Sequence, residues 1–444
     1  LQAAGRQVPD APPKRRWWQT FVVAPLYTLL FYVLTPLWLW FGFQNASGAW
    51  AWRKAREALV QRGEPLTFAQ LLGSPPAEDA NFAMTPLIRP LHDLQVVVTN
   101  GRTHVVWADP RGRDRVRALW IPAPIGDRES QTTRTNRASR TNLLELARGI
   151  RANPVRQVKD LEVPPEIAAR YGLSTDRVEV MDKDQARALE IPDPARVVLE
   201  FVRRYDPELR EITRAAASRP QSEFLGLRRG GDLVLLPHLS ELKAIASIFR
   251  ARCDARLQSG DPQGAWEDAM TLVRLSAKSA PDPVLIALLV RLAHTRVGLE
   301  AVREGLVRRV WTDAQIEGLE RELAALDLRA GALRAMQGER IVQNLMLDAY
   351  ALGRAGPAFM IGPLDPGAEQ ASLQGGVPGL YASGMMRRNQ VHASRVADVL
   401  LRWTAEPRLA RVVAGEDAGG GADQVDWRRS GRRGQGYALD HPGR

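Results

Sequence analysis

The longest apolar segment of the chain lies near its N-terminus. Residues 17–52 contain no charged side chain, and within them residues 20–43 are almost wholly apolar. At a rise of ~1.5 Å per residue, about 20 such residues in a helix cross the ~30 Å hydrocarbon layer of a bilayer. The pattern therefore predicts a transmembrane helix over residues 17–43, and we interpret it as an uncleaved signal anchor.

The residues that flank this segment are typical of a membrane interface, because indole rings and basic side chains favour the level of the lipid headgroups. The predicted interface residues are Arg15, Arg16, Trp17, Trp18, Trp38, Trp40, Trp50 and Trp52. A soluble core helix would need a polar face, and the apolar region of a cleaved signal peptide is shorter, at about 7 to 15 residues. The pattern therefore favours the anchor over both alternatives.

The basic residues predict the orientation of the anchor. Those of the basic tail at residues 1–16 adjoin the apolar segment, whereas those that follow it begin at Arg53. Basic residues next to a span favour the cytoplasmic side. We therefore expect a single-pass protein of a bacterial inner membrane, with the bulk of the chain exported to the periplasmic side.

Residues 44–193 alternate between helical and β patterns. Residues 44–78 predict juxtamembrane amphipathic helices, which would either lie on lipid headgroups or begin the soluble domain. Within them, Thr67 and Gln70 have the spacing of a capping box, which predicts a helix start. In the mixed region at 79–193, two β-rich runs around Asn100-Gly101 predict a β-hairpin, and residues 116–121 a third strand. Residues 128–142 lack large apolar side chains, which indicates a mobile loop.

Residues 194–412 repeat apolar positions at helical spacing and predict a helical bundle. The expected helices cover 195–217, 239–260, a segment after Asp261-Pro262, a central buried segment after Asp282-Pro283, a segment after Thr312, 328–352, and 385–403 with Val391, Val396, Val399 and Leu400 facing inward. Small residues around Gly260 resemble half of a tetratricopeptide hairpin. The predicted fold is mainly α: an N-terminal transmembrane helix, then a bundle with a tetratricopeptide-like hairpin and a small β-hairpin insert.

Composition narrows the possible functions. The net charge is +11, but only six of the 61 basic residues are lysines and they are spread along the chain, so we expect no nucleic-acid binding. Cys253 is the only cysteine, which excludes an intrachain disulfide and any CxxC metal site. Residues 413–444, rich in Gly and Arg, predict a disordered basic tail, either an unselected solvated end or an attachment to acidic polymers.

The sequence contains no motif that identifies a reaction, such as GxSxG, a Walker loop, GxGxxG after a strand or HExxH. We therefore expect no catalytic residues, no bound metal and no cofactor. Four residues of the bundle are candidates for a functional cleft: His238, His294, Glu339 and Arg340. Each also has a structural interpretation, the histidines as core residues and Glu339 and Arg340 as members of ion pairs.

Four short segments resemble a group of uncharacterised bacterial membrane-anchored proteins with one N-terminal span. They are Gln61-Arg62-Gly63-Glu64, Asn81-Phe82-Ala83-Met84, Leu236-Pro237-His238-Leu239 and Arg388-Asn389-Gln390. The group has no assigned activity, so the resemblance implies a single span and a helical soluble region but no reaction.

Together these patterns predict a membrane-anchored envelope protein that acts as an interaction or scaffold module. Its expected partners are the lipid bilayer and another envelope protein. The alternative is a membrane-anchored hydrolase that acts on envelope material. An interaction module should have an open apolar or arginine-lined groove, whereas a hydrolase should bring Glu339, His238 or His294 together in a concave pocket.

Overall fold

A computed structural model describes residues 24–99, 102–126, 142–158, 163–224, 236, 238–351 and 383–405. The protein is mainly helical with a small antiparallel β-hairpin, which confirms that part of the predicted fold class. The basic tails at 1–16 and 413–444, and the predicted loop at 128–142 apart from Asn142, lie outside the described residues.

The elements follow one another along the chain in an order that separates two small β pairings from a long helical region. They are α1 (Ala24–Leu29), α2 (Thr35–Gln61), α3 (Phe68–Leu72), β1 (Leu94–Thr99), β2 (Arg102–Trp107), α4 (Pro110–Arg117), α5 (Leu143–Ala152), β3 (Arg156–Gln157), α6 (Pro165–Tyr171), β4 (Leu173–Ser174), α7 (Lys183–Arg187), α8 (Pro194–Val202), α9 (Asp206–Ser218), α10 (His238–Ser259), α11 (Pro262–Lys278), α12 (Leu285–Val307), α13 (Asp313–Ala324), α14 (Leu328–Ala351) and α15 (Ser383–Ala405).

The predicted transmembrane helix is not supported by the structure. From Ala24 onward, the apolar segment is divided among α1, a π-helical turn at Leu30–Leu34 and the first part of α2. Beyond Phe43, α2 continues through polar residues into the charged residues around Arg53. Within the described residues, no helix combines the length and the apolar character that crossing a bilayer requires.

Helix α2 nevertheless joins the rest of the protein. It packs along α15, which in turn packs on α14. Arg388 of α15 donates a hydrogen bond to Ser47 of α2, with 2.7 Å between Nη2 and Oγ, and Leu59 is buried. The amphipathic part of α2 is therefore packed against the helices from α8 onward, which we call the body.

The β-hairpin is confirmed and the third strand is wrong. β1 and β2 pair in antiparallel register, with Leu94 opposite Trp107 and Thr99 opposite Arg102. The next residues form helix α4 because the Asp109 carboxylate accepts the Gly112 N–H and Pro110 occupies the first turn. Residues 118–121 follow that helix without strand structure, so the predicted strand at 116–121 does not form.

The main hydrophobic core lies where α8 to α11 pack together. α10 and α11 form an antiparallel hairpin that turns at Gly260, whose φ of +80° suits glycine. Buried alanines, among them Ala255, Ala265 and Ala269, let the two helices approach closely. The helix predicted over 195–217 is instead two helices, α8 and α9, separated by a 3-10 turn at Arg203–Tyr205.

Several predicted helix starts are confirmed. Thr67 and Thr312 each form a capping box with the glutamine three residues later, and Asp261 caps α11. Asp282 does not cap a helix: α12 begins at Leu285 after Val284, and Asp282 instead contacts His238.

Two predictions about buried faces are wrong. α12 was expected to be central, yet its outer side exposes apolar residues that include Leu289 and Leu299. On α15, Val396 and Val399 are exposed, whereas polar Gln390 is fully buried. Gln390 faces α14 because its side-chain amide donates hydrogen bonds to the Asn344 carbonyl (3.1 Å) and to Asp348 (2.9 Å).

Candidate functional site

His238, the first residue of α10, is a buried structural residue. Its Nε2 lies 3.1 Å from Oδ2 of Asp282, and its ring stacks on Phe224 with 3.6 Å between centroids. The imidazole is 1% exposed. The contacts with Phe224 and Asp282 hold the start of α10 against the segment before α12. The buried ring is closed to ligands.

His92 belongs to the same cluster, which the sequence did not indicate. It meets Phe224 edge to face with 5.0 Å between centroids, and its Nε2 lies 2.8 Å from the Ala83 carbonyl oxygen. Burial lowers the pKa of His92 to about 4, so the ring is neutral at pH 7. His92, Phe224, His238 and Asp282 thus tie the segment before the β-hairpin to the bundle.

His294, on α12, forms a hydrogen bond through Nδ1 with the hydroxyl of Ser279. A serine next to a histidine is the beginning of a nucleophile and base arrangement. Both side chains are buried, however, and burial lowers the pKa of His294 to about 4. The pair therefore joins α12 to the end of α11 and is closed to substrate.

Glu339 and Arg340 are neighbours on α14 but have different partners. Oε2 of Glu339 accepts the backbone N–H of Leu285 at 3.3 Å, which satisfies a donor at the start of α12. The Arg340 guanidinium is 1% exposed and pairs with Glu64 at 2.7 Å and Asp398 at 3.3 Å. Arg340 also donates to the Pro65 carbonyl oxygen at 3.3 Å.

Arg340 is consequently the centre of a junction between three helices. Glu64 follows α2, Arg340 lies on α14 and Asp398 on α15. Asp398 accepts a second pair from Arg62 at 2.8 Å, so both sides of the turn after α2 are held. We call Arg62, Glu64, Arg340 and Asp398 the Arg340 junction.

Two broad surface grooves among the described residues have volumes of about 620 and 610 Å³, and none of the four candidates lines either of them. The described residues also contain no group of three or more His, Cys, Asp and Glu side chains that could hold a metal ion. Neither groove therefore brings Glu339, His238 or His294 together.

The groove of about 620 Å³ lies between α10 and the segments around residues 120 and 156. We call it the Arg156 groove. Its lining residues are Arg117, Leu119, Trp120, Ile121, Pro122, Ala123, Asn153, Val155, Arg156, Gln157, Val180, Ser240, Glu241, Ala244 and Ser247. It combines an apolar surface with polar side chains. The sequence analysis missed it because these residues come from separated segments and form no motif.

The other groove, the Ile191 groove, lies between α5, α8 and the segments before and after α7. Its lining residues are Arg151, Met181, Leu189, Glu190, Ile191, Pro192, Asp193, Arg196, Val197 and Glu200. Three carboxylates face two arginines there, and Arg196 pairs with Glu200 at 2.9 Å. Its charge is thus largely balanced within the protein.

The third candidate surface is the apolar N-terminal segment. Between Tyr27 and Phe43 many large apolar side chains are exposed, with Tyr32 at 72% and Trp38 at 70%. Trp40 and Trp50 are also exposed, whereas Trp52 is half-buried. Arg15, Arg16, Trp17 and Trp18 lie outside the described residues.

Comparison with known proteins adds no family. No protein-family model, no curated protein and no solved structure shows significant similarity to the chain. The function must therefore be argued from these three surfaces.

Proposed function

We propose that the protein is an interaction module attached to a lipid bilayer by its exposed apolar segment at residues 27–43. The observation that carries the proposal is the density of exposed apolar side chains: twelve large ones are exposed between Tyr27 and Phe43, against six along the whole of α12. Soluble monomers rarely expose contiguous apolar patches larger than about a few hundred Å². Insertion of these side chains into lipid would remove them from water, and each large side chain so buried contributes about 1.5–3 kcal/mol.

The packing of α2 supports the second half of the proposal. Helix α2 carries the apolar side chains from Leu37 to Phe43. It then continues into the contacts with α15 and ends at the Arg340 junction. A body fixed in this way would be held at a constant distance from the membrane, which suits the presentation of a binding surface. The proposed partner is another protein at the membrane.

A hydrolase has less support. The Ser279–His294 and His238–Asp282 contacts resemble parts of a catalytic arrangement, but all four side chains are buried. The export of the body stays a prediction, and protease accessibility of the body in intact cells and in spheroplasts tests it.

Flotation with vesicles tests the attachment. The full chain, exchanged from detergent, is mixed with vesicles of three parts phosphatidylethanolamine and one part phosphatidylglycerol, then centrifuged in a density gradient. The test variant carries Phe31→Asp, Leu34→Asp and Leu39→Asp. The control variant carries Ile286→Asp, Leu289→Asp and Leu299→Asp, which alter similarly exposed residues of α12.

We expect the wild type and the control variant to float and the test variant to stay in the dense fractions. A charged side chain in the hydrocarbon layer costs about 2.5–3.5 kcal/mol, so three of them should abolish attachment. Equal flotation of the test variant and the wild type would contradict the proposal, as would a wild type that does not float.

A further inference from the structure

We infer that the Arg156 groove binds an extended, carboxylate-bearing segment of a partner protein. The inference rests on the proposed function, for which it names the chemistry of the partner. It is argued from the shape of the groove, its unequal charge and the backbone edge that it contains.

The apolar part of the groove is held in place by contacts behind it. The indole N–H of Trp120 donates to the Tyr171 carbonyl oxygen at 3.3 Å, and the Trp120 carbonyl oxygen accepts the Tyr205 hydroxyl at 3.0 Å. Trp120 also meets Phe201 edge to face with 5.5 Å between centroids. A surface fixed before binding loses little conformational entropy when a ligand arrives.

The charges of the lining residues favour an acidic ligand. Arg117 and Arg156 face a single lining carboxylate, Glu241, which lies 4.0 Å from Arg117. Arg117 is further engaged by Asp114 at 3.3 Å. Among the described residues, Arg156 has no ion pair with a carboxylate, and the one hydrogen bond of its guanidinium is long, 3.4 Å to the Arg117 carbonyl oxygen. Its remaining N–H donors suit a bidentate contact with a carboxylate.

A backbone edge in the groove favours an extended ligand. Arg156 and Gln157 form β3, which pairs in parallel with β4 through the Arg156 N–H to Gly172 (2.8 Å) and the Val158 N–H to Ser174 (2.9 Å). Alternate residues of a strand direct their backbone groups to opposite sides. Gln157 therefore turns its N–H and C=O away from β4, where an extended chain could pair with them.

The Ile191 groove has a similar volume without the same charge pattern, so size alone does not decide the assignment. The lining of the Arg156 groove contains one more arginine than carboxylates, which is too few cations for a nucleic-acid backbone, where several phosphates must be neutralised. An alternating acidic and apolar strand fits both features: carboxylates would reach Arg156 while apolar side chains cover Ile121, Val180 and Ala244.

Fluorescence anisotropy of labelled peptides tests the inference on the full-length protein in detergent. The probe is an eight-residue peptide of alternating valine and glutamate, with matched valine–glutamine and valine–lysine peptides. The variants are Arg156→Gln, which removes the charge, and Ala244→Glu, which adds a carboxylate to the apolar surface. Arg303→Gln, at an exposed position of α12, is the control.

We expect the valine–glutamate peptide to bind saturably, at least tenfold tighter than the two matched peptides and more weakly as salt increases. Arg156→Gln and Ala244→Glu should each weaken it at least tenfold, and Arg303→Gln should leave it unchanged. No saturable binding, equal binding of the three peptides, or equal effects of Arg156→Gln and Arg303→Gln would overturn the inference. Unfolding midpoints verify that each variant is folded.

This outcome is separable from membrane attachment, because the peptide assay contains no vesicles. Peptide binding without flotation would support the groove and contradict the attachment. Flotation without peptide binding would support the attachment and overturn the groove.

Discussion

Two buried arginine clusters hold this protein together, and they differ in what surrounds them. In the body, Arg252 of α10 and Arg256 share the carboxylate of Asp268 on α11, at 2.6 and 3.0 Å, inside the main hydrophobic core. At the Arg340 junction, the carboxylates of Glu64 and Asp398 stay partly exposed. The same chemistry should therefore support global stability in the first case and local attachment of α2 in the second.

Loss of the buried carboxylate should have the largest effect. Asp268→Ala removes the buried carboxylate closest to Arg252 and leaves that arginine with the half-exposed Asp206, at 3.5 Å. Removing one member of a buried pair costs about 3–5 kcal/mol of the free energy of unfolding. Urea unfolding followed by circular dichroism measures the change. Glu200→Ala, which removes an exposed pair, is the control and should show no measurable change. A decrease below about 1 kcal/mol for Asp268→Ala, the size of an ordinary net hydrogen bond, would contradict the assigned role.

Acid should have the second largest effect, because it lowers the free energy of unfolding. The pKa of His92 and of His294 falls from 6.5 to about 4 on folding because both rings are buried. Between pH 6.5 and 4 the unfolded chain binds protons that the folded chain does not, so stability is lost as pH falls. Each ring should lower the free energy of unfolding by about 2 kcal/mol between pH 7 and pH 5.

Unfolding of His294→Leu at both pH values isolates one ring. The loss of stability from pH 7 to 5 should be smaller by about 2 kcal/mol than in the wild type. His392→Leu, at an exposed position, is the control and should lose as much stability from pH 7 to 5 as the wild type does. An identical pH dependence in the wild type and His294→Leu would show that this ring is not buried neutral.

The junction should respond locally. Arg340→Met keeps an unbranched side chain of similar length but removes the pairs with Glu64 and Asp398, whose carboxylates can return to water. We expect a cost of about 1–2 kcal/mol in global stability and much faster proteolysis near residues 62–66. Limited trypsin digestion with mass spectrometry detects the new site. A loss of global stability without preferential cleavage near residues 62–66 would contradict the local role of the Arg340 junction.

The smallest expected effect is at a helix end in the body. Asp261 caps α11 through a 2.9 Å hydrogen bond from the Gly264 N–H, and loss of such a cap costs about 1 kcal/mol. Asp261→Ala should lower the urea midpoint slightly without increasing cleavage near residues 62–66. Cleavage at that site in Asp261→Ala would mean that the junction follows global stability and is not independent.

Local features of the fold could be predicted from the sequence. The capping boxes at Thr67 and Thr312, the Asp261 cap and the hairpin around residues 100–101 each depend on a few neighbouring residues. Asp282-Pro283 carries the same local signal as Asp261-Pro262 but does not start a helix, because the Asp282 carboxylate contacts His238, 44 positions away. Long-range contacts overrode the local preference.

The sites were not predictable in the same way. Arg340 pairs with Glu64, 276 positions away in the chain, and no periodicity of the sequence predicts such a contact. The Arg156 groove likewise combines segments whose proximity only the folded chain creates. Buried faces were misjudged for the same reason: the exposed side of α12 is as apolar as a core face, and the buried side of α15 contains Gln390.

The depth of single positions in lipid tests the central claim most directly. In a Cys253→Ala background, Trp38→Cys and Leu289→Cys are each labelled with an environment-sensitive fluorophore and mixed with vesicles that contain nitroxide-labelled phosphatidylcholine. The account predicts strong quenching and a blue-shifted emission at position 38, and neither at position 289. Absence of quenching at position 38, or equal quenching at both, would contradict attachment through the apolar N-terminal segment.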